Sequence, residues 1–290
     1  MYNKQNFEGN SRKGNVTLFL KREKPLWENY IWNCKNKVVY GPVQSRRLGK
    51  SLGINLFPSE FNICTFDCIY CDCGRTQKNP HDFISVENIK DELISSFHQH
   101  SLNKTLIDYI TFAGNGEPTY YPYFPQIVDF VLELRDKYLP QKPLAIFSNG
   151  TMIFKQEVIE SIAKLDEKFF KIDAGDEKTF RLISRPFNNI SLERIIEGLV
   201  NLKGIKISSA VLCSGAKNFN SLKTLQYIEV LKKINPLEVH LYSIDYPTAY
   251  RGVRRVGISK MLELAEYITD NTYLKVKVFR ANKSWKEAEQ

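Results

Sequence analysis

The chain has 290 residues, of which 43% are hydrophobic and 25% are charged, and this length suits a single α/β barrel domain with a full core. No apolar run approaches the roughly 20 residues that a membrane helix needs, and the polar stretch from Met1 to Asn15 has no signal-peptide core, so we predict a cytoplasmic protein without a membrane segment. The net charge of +9 suggests an anionic partner such as RNA, whereas six cysteines, most of them between positions 64 and 73, exclude a secreted disulfide framework.

Residues 1–37 are predicted to be an N-terminal extension, and residues 38–290 the main domain. The extension carries basic residues between positions 12 and 24 and aromatic residues between positions 27 and 32. Charge followed by aromatic rings is typical of a segment that binds nucleic acid. A solvated arm whose aromatic side chains cover the barrel is an equally good interpretation.

From Val38 onward, apolar runs of strand length alternate with amphipathic helical stretches, the first of which has Ser85 as its N-cap. Six strand–helix units in a row predict an α/β fold with a parallel sheet, a partial (β/α)6 barrel of the TIM type. A further alternating stretch at 273–279 is predicted as an edge strand. The six strands are predicted at 51–57, 107–112, 144–147, 169–173, 205–213 and 239–243.

A polar or glycine-rich stretch follows each of these six strands. In a parallel α/β barrel, the loops after the strands meet at one rim, where active sites are built. We therefore expect these stretches to lie together. They are residues 64–71, 114–117, 148–150, 173–175, 213–215 and 243–245.

The first of these stretches contains Cys64, Cys68 and Cys71, here called the cysteine trio, in the spacing C-x3-C-x2-C. Thiolates this close together can converge on one metal centre, and they favour iron–sulfur clusters, zinc or Cu(I). Three ligands leave one coordination position for a reactant, whereas a structural zinc site normally has four. The alternatives are a zinc site completed by Cys73 or a distant histidine, and a cluster of buried thiols.

The trio, with the aromatic Tyr70 directly before its third cysteine, resembles the cluster motif of the radical S-adenosylmethionine (radical SAM) superfamily. The resemblance extends over roughly residues 38–280, and the stretches 45–49, 114–118 and 173–175 resemble the subgroup that contains the wyosine-type tRNA base synthases. It implies that the trio holds three irons of a [4Fe-4S] cluster. The fourth iron would then take the amino and carboxylate groups of S-adenosylmethionine.

The same resemblance implies roles for the other rim residues in binding the cofactor. Residues 114–117 would contact the methionine amino group, although they are one residue longer than the commoner Gly-Gly-Glu form. Ser148 and Asn149 would contact the ribose or the carboxylate, Asp173 the ribose hydroxyls, and Tyr70 the adenine. Helix caps and Asx-turns are the alternatives for Ser148 and Asp173. The implied cofactor-binding residues are Tyr70, Gly114, Asn115, Gly116, Glu117, Ser148, Asn149 and Asp173.

The resemblance implies a reductant such as flavodoxin or ferredoxin, reductive cleavage of S-adenosylmethionine to a 5′-deoxyadenosyl radical, and hydrogen abstraction from a substrate. A tRNA base suits the basic residues expected near the mouth, although the tRNA enzymes of that subgroup carry further upstream cysteines and here only Cys34 is present. A radical modifier of a protein or peptide, and a zinc-stabilised nucleic-acid-binding module, are the alternatives. The basic residues are Arg46, Arg47, Lys50, Arg251, Arg254 and Arg255.

Overall fold

The computed structural model describes residues 3–5, 16–20, 36–58, 61–77, 83–187, 189–213, 217–244, 248, 250 and 252–280. Within these residues, ten strands form one sheet in the order β1-β2-β12-β10-β8-β7-β6-β5-β4-β3, and β9 and β11 form a second, two-stranded sheet. The strands are β1 Asn3–Gln5, β2 Val16–Leu20, β3 Val39–Ser45, β4 Gly49–Ile54, β5 Tyr109–Phe112, β6 Leu144–Ser148, β7 Glu167–Lys171, β8 Ile205–Ala210, β9 Leu212–Cys213, β10 Glu238–Tyr242, β11 Arg254–Arg255 and β12 Lys275–Phe279.

Helices connect the parallel strands. The first helix begins after Ser85, whose side chain accepts a hydrogen bond from the backbone amide of Asn88 and so confirms the predicted cap. Among the described residues, no helix is both long and apolar enough to cross a membrane. The helices are α1 Val86–Leu102, α2 Phe124–Tyr138, α3 Gln156–Ala163, α4 Glu177–Ile183, α5 Leu192–Val200, α6 Ser221–Ile234 and α7 Ile258–Thr272.

Strands β4, β5, β6, β7, β8, β10 and β12 are mutually parallel, which confirms the partial TIM-like barrel. The seventh parallel strand, β12, was expected at an edge of the sheet. It instead lies between β10 and β2, because β2 from the predicted extension pairs with it in parallel. The basic and aromatic segments of residues 12–13 and 21–32, and Cys34, lie outside the described residues.

The strands on one side of the barrel alternate apolar and charged residues, and their apolar faces join the main core, as Val239 and Val276 do. The opposite face is charged. Glu238 accepts hydrogen bonds from Lys275 at 2.8 Å, Lys277 at 2.6 Å and His240 at 2.9 Å. Because these residues lie at and near the amino ends of β10 and β12, they fill that end of the barrel with paired charges. The cavity described next contains side chains from the carboxyl ends of the strands.

Candidate metal and cofactor site

The loop that carries the cysteine trio follows β4 and is held by backbone pairing on two sides. Ile63 pairs with the stretch after β5, since its amide donates to Asn115 O at 2.9 Å and its carbonyl accepts from Glu117 N at 3.1 Å. On the other side, Ile69 N donates to Ile183 O at 2.9 Å, at the end of α4. These contacts join segments more than 40 residues apart and fix where the thiols point.

The three thiols line one cavity of about 340 Å³. None of the cysteines among the described residues forms a disulfide. Amide groups point at two of the sulfur atoms: Asn149 Nδ2 lies 3.5 Å and Phe66 N lies 3.4 Å from Cys64 Sγ, and Asn62 Nδ2 lies 3.5 Å from Cys71 Sγ. Hydrogen bonds to the ligand sulfurs are a usual feature of iron–sulfur sites.

Burial raises the pKa of the Cys64 thiol, with a further contribution from Glu117, and raises the pKa of Cys68 to about 12. Both groups are therefore protonated at neutral pH unless a cation offsets the cost of burial. A metal centre would supply that cation and release the protons on binding. Three soft donors that share one cavity with hydrogen-bond donors thus fit an iron–sulfur cluster.

Cys73 also lines the cavity, and its sulfur lies 3.4 Å from Gly114 O. The potential ligand atoms of Cys71, Asp72 and Cys73 lie within 4.8 Å of one another. Of the four cysteines that the zinc alternative requires, this group contains Cys71 and Cys73.

Gly114 and Gly116 are required by packing within the protein. An alanine Cβ at Gly116 would lie 1.7 Å from Ile63 O, and one at Gly114 would lie 2.4 Å from Asn55 Oδ1. Gly116 also has φ of +147°, which L-residues avoid. The absence of a side chain at Gly116 allows the cysteine loop to dock directly on the stretch after β5, and its absence at Gly114 leaves room for the Asn55 side chain.

Glu117 connects the stretches after β5 and β6. One of its carboxylate oxygens accepts from Thr119 Oγ1 at 2.6 Å and Ser148 Oγ at 2.7 Å, and the other accepts from Asn149 N at 2.6 Å. Burial raises the pKa of Glu117, and these hydrogen bonds partly offset the shift. Ser148, Asn149 and Glu117 are therefore held as one unit against the trio.

Tyr70 lines the cavity, but Asp173 lies behind it. The Tyr70 hydroxyl donates to one carboxylate oxygen of Asp173, and Ala210 N donates to the other at 2.7 Å. Burial raises the pKa of Tyr70, so its phenol keeps the proton it donates. Of the eleven predicted site residues, only Asn115 and Asp173 do not line the cavity.

Three cations line the cavity too: Arg46, Arg47 and Lys171. Burial alone would lower the pKa of Lys171, but Asp173 and Tyr242 raise it above its usual value, so the amine stays charged. Lys171 Nζ donates to Tyr242 Oη at 2.6 Å and lies 4.3 Å from the centre of the Tyr70 ring. The sequence did not single out Lys171, which follows Phe169 and Phe170 as the last residue of β7.

Arg46 and Arg47 were expected near the mouth with other basic residues, and the structure places them inside. The Arg47 guanidinium lies over the rings of Phe147, Tyr242 and Phe279, at 5.4, 4.6 and 5.3 Å. Lys50 lies at the amino end of β4, away from the rim. Arg251 and residues 214–215 and 245 lie outside the described residues.

Residues 60–220, more than half of the chain, match the sequence profile of the radical SAM superfamily. The UPF0026 protein MJ1312 of Methanocaldococcus jannaschii is 36% identical over 224 residues, which is 75% of this chain and 66% of that protein. A UPF0026 protein of Helicobacter pylori strain J99 is 34% identical over 222 residues, which is 74% of this chain and 68% of that protein. The chain belongs to the radical SAM superfamily, within the UPF0026 proteins.

Proteins of the radical SAM superfamily use a [4Fe-4S] cluster and S-adenosylmethionine, and they need a reductant. A solved structure of TYW1 with a lysine-pyruvate adduct bound has a similar fold, with a TM-score of 0.57 and 17% identity over 85% of this chain and 80% of that one. This radical SAM chain spans about two thirds of the length of its relative MJ1312. The wyosine-type subgroup is not established by these similarities.

Proposed function

We propose that this radical SAM enzyme holds its cluster with Cys64, Cys68 and Cys71 and abstracts a hydrogen atom from a base of tRNA. The observation that carries the proposal is that one cavity contains the three thiols, the glycine-rich stretch after β5 and three cations. When bound, the reduced cluster supplies one electron that cleaves S-adenosylmethionine to methionine and a 5′-deoxyadenosyl radical. The protein positions these groups and excludes water.

We assign the cradle for the methionine part to Gly114, Asn115, Gly116 and Glu117, together with Ser148 and Asn149. Within it, Glu117 is a positioning residue, since both of its carboxylate oxygens accept hydrogen bonds from Thr119, Ser148 and Asn149. Ser148 and Asn149 are thereby held facing the cavity. Asn149 also donates to Cys64 Sγ, which couples the cradle to the cysteine trio.

Tyr70 is proposed to lie beside the adenine, because its ring lines the cavity next to Cys71. Asp173 would then act through Tyr70 rather than by direct contact with the ribose. Its carboxylate fixes the Tyr70 hydroxyl and the end of β8 together. A substitution at Asp173 should therefore affect cofactor affinity by moving Tyr70.

The cations of the cavity support a substrate with an anionic group. Arg46 contacts Ser243 O at 3.5 Å, and Arg47 donates to Ser208 Oγ at 3.1 Å. Both contacts are to strands β8 and β10 or their ends, across the sheet from the cradle on β5 and β6. The net charge of +9 supports a polyanion such as tRNA.

We propose a cytoplasmic location, since a reducing compartment suits thiols that must stay available for a cluster. We also propose that the chain divides between residues 37 and 38 into an extension and a main domain. In the described part, β2 from the extension adds to the sheet of the main domain.

The test is anaerobic reconstitution followed by assay with S-adenosylmethionine, dithionite and either a tRNA or a protein fraction. We expect tRNA to stimulate formation of 5′-deoxyadenosine and a mass change in its nucleosides, with tRNA affinity falling steeply as salt rises. Stimulation by the protein fraction alone would favour the peptide-modifying alternative, for which the single upstream Cys34 is no obstacle. A colourless protein that binds zinc and no sulfide would contradict the radical function.

A further inference from the structure

Two arginines enclose a tyrosine ring on the outside of the cysteine loop. The guanidinium carbons of Arg75 and Arg185 lie 4.6 and 4.5 Å from the ring centre of Tyr250. Both arginines are exposed and Tyr250 is half-buried. We call these three residues the Arg–Tyr–Arg stack.

The stack is attached to the side chain of Asp67, which lies between Cys64 and Cys68 in the chain. The Tyr250 hydroxyl donates to an Asp67 carboxylate oxygen, and Arg185 Nε lies 3.6 Å from the same oxygen. The other oxygen accepts from Thr76 N at 3.1 Å. Asp67 directly precedes Cys68, so the stack contacts the residue next to a proposed cluster ligand.

The stack lies outside the cavity, since Phe66 and Cys68 line the cavity and Asp67, which binds the stack, does not. The three thiols line the cavity, whereas Arg75, Arg185 and Tyr250 do not. Asp67 is buried beneath the stack, so the exposed groups here are the two guanidinium cations. The loop therefore presents thiols to the inside and positive charge to the outside.

We propose that this outer face is the docking surface for an acidic one-electron carrier protein of the flavodoxin or ferredoxin class. The inference rests on the proposed cluster at the cysteine trio. The carrier loses one electron, the cluster gains one, and no atom or proton needs to be transferred. A positive surface accelerates encounter with an acidic partner, and docking here brings the carrier to the cluster loop without blocking the cavity.

RNA would also be attracted to positive charge. An RNA substrate, however, must place its reacting base in the cavity, and the stack does not line it. The location of the stack outside the cavity therefore favours an electron-carrier protein over an RNA substrate as its partner.

The experiment compares two reductants in the same holoenzyme. In the double variant Arg75→Glu/Arg185→Glu, we expect 5′-deoxyadenosine formation driven by reduced flavodoxin at low salt to fall by on the order of tenfold. The rate with dithionite, a small chemical reductant that needs no docking surface, should stay at the wild-type level. The flavodoxin-driven rate of the wild type should fall with ionic strength, and that of the variant should not.

Matched variants separate docking from a structural role. Lys90→Glu/Lys137→Glu makes the same charge change at one lysine of α1 and one of α2, both of which lie over aromatic rings of α2. This variant should leave both rates unchanged. Arg75→Lys/Arg185→Lys keeps the charge and should keep most of the flavodoxin-driven rate. If the Arg75→Glu/Arg185→Glu variant loses its iron and sulfide, the single variant Arg75→Glu is used instead. Among the described contacts, Arg185 forms an ion pair with Asp67 and Arg75 does not, so the single variant leaves the cysteine loop intact.

Equal rates with flavodoxin in the wild type and the reversed variant would overturn the proposal, as would an equal loss with both reductants in a variant of full cluster content. If the Arg75→Glu/Arg185→Glu variant lost affinity for tRNA but kept the wild-type rates with both reductants, the surface would be assigned to RNA instead. Wild-type protein that forms no 5′-deoxyadenosine even with dithionite would refute the proposed function, so the two failures are distinguishable.

Discussion

Replacing Gly116 with alanine tests whether the cysteine loop depends on a close approach of two backbones. The new Cβ would lie 1.7 Å from Ile63 O and 2.5 Å from Ile63 C, and neither backbone atom can rotate away. Relief of the overlap must separate the loop from the stretch after β5, which breaks the two hydrogen bonds of Ile63. The two hydrogen bonds contribute about 1 kcal/mol each, and overpacking costs about 1–3 kcal/mol, so the free energy of unfolding should fall by about 3–5 kcal/mol.

The assay is urea unfolding of the apo-protein under reducing conditions, with iron and sulfide content measured after reconstitution. Gly74→Ala is the matched control, because Gly74 lies in the same loop with φ of +89° and its new Cβ would have no atom of a non-neighbouring residue within 4 Å. It should cost only backbone strain of about 1–2 kcal/mol, which Gly116→Ala incurs in addition to its loss from packing and hydrogen bonds. If Gly116→Ala proved no more destabilising than Gly74→Ala, the packing argument would be wrong.

Alanine at any member of the cysteine trio should abolish cluster assembly, whereas Cys73→Ala should keep full iron and sulfide; bleaching of the Cys73 variant would support a fourth protein ligand. Asn62→Ala removes a donor to Cys71 Sγ and should lower the reduction potential of the cluster, as measured by an EPR redox titration. Burial lowers the pKa of His240 to about 4. Between about pH 6.5 and pH 4, the imidazole is therefore protonated in the unfolded chain and neutral in the folded protein. The contribution of His240 to the free energy of unfolding is therefore fully present above pH 6.5, and it should fall by about 2 kcal/mol between pH 7 and pH 5. In urea unfolding, His240→Gln should remove most of this fall. An unchanged pH dependence in that variant would contradict the assignment.

The cysteine loop carries both the thiols of the proposed cluster and the residue that binds the proposed docking surface. Its inner face carries the thiols, and its outer face carries the Arg–Tyr–Arg stack. Asp67 lies between the two faces and binds the stack through its side chain. Under the proposed docking, electron delivery and substrate entry use different surfaces, so the two are tested with separate variants.

Much of the fold was predictable because its signals are local. The alternation of apolar strands and amphipathic helices predicted the six strand–helix units, and Ser85 marked the start of α1. The rule that active-site loops follow parallel strands placed the trio, Gly116, Ser148 and Asn149 at one site. The bounds of β7 and β8 differ from expectation by a few residues, since strand ends depend on pairing partners.

The sequence by itself determined the spacing of the cysteine trio and the order of the parallel strands, because spacing and periodicity depend on neighbours along the chain. Only the tertiary structure decided that Lys171 and Arg47 face the cavity, that Asp173 lies behind Tyr70, and that Arg185 meets Tyr250 outside the loop. Alternation shows that two residues share a face of a strand but not which face is the interior. That choice depends on contacts between segments that are tens of residues apart in the chain.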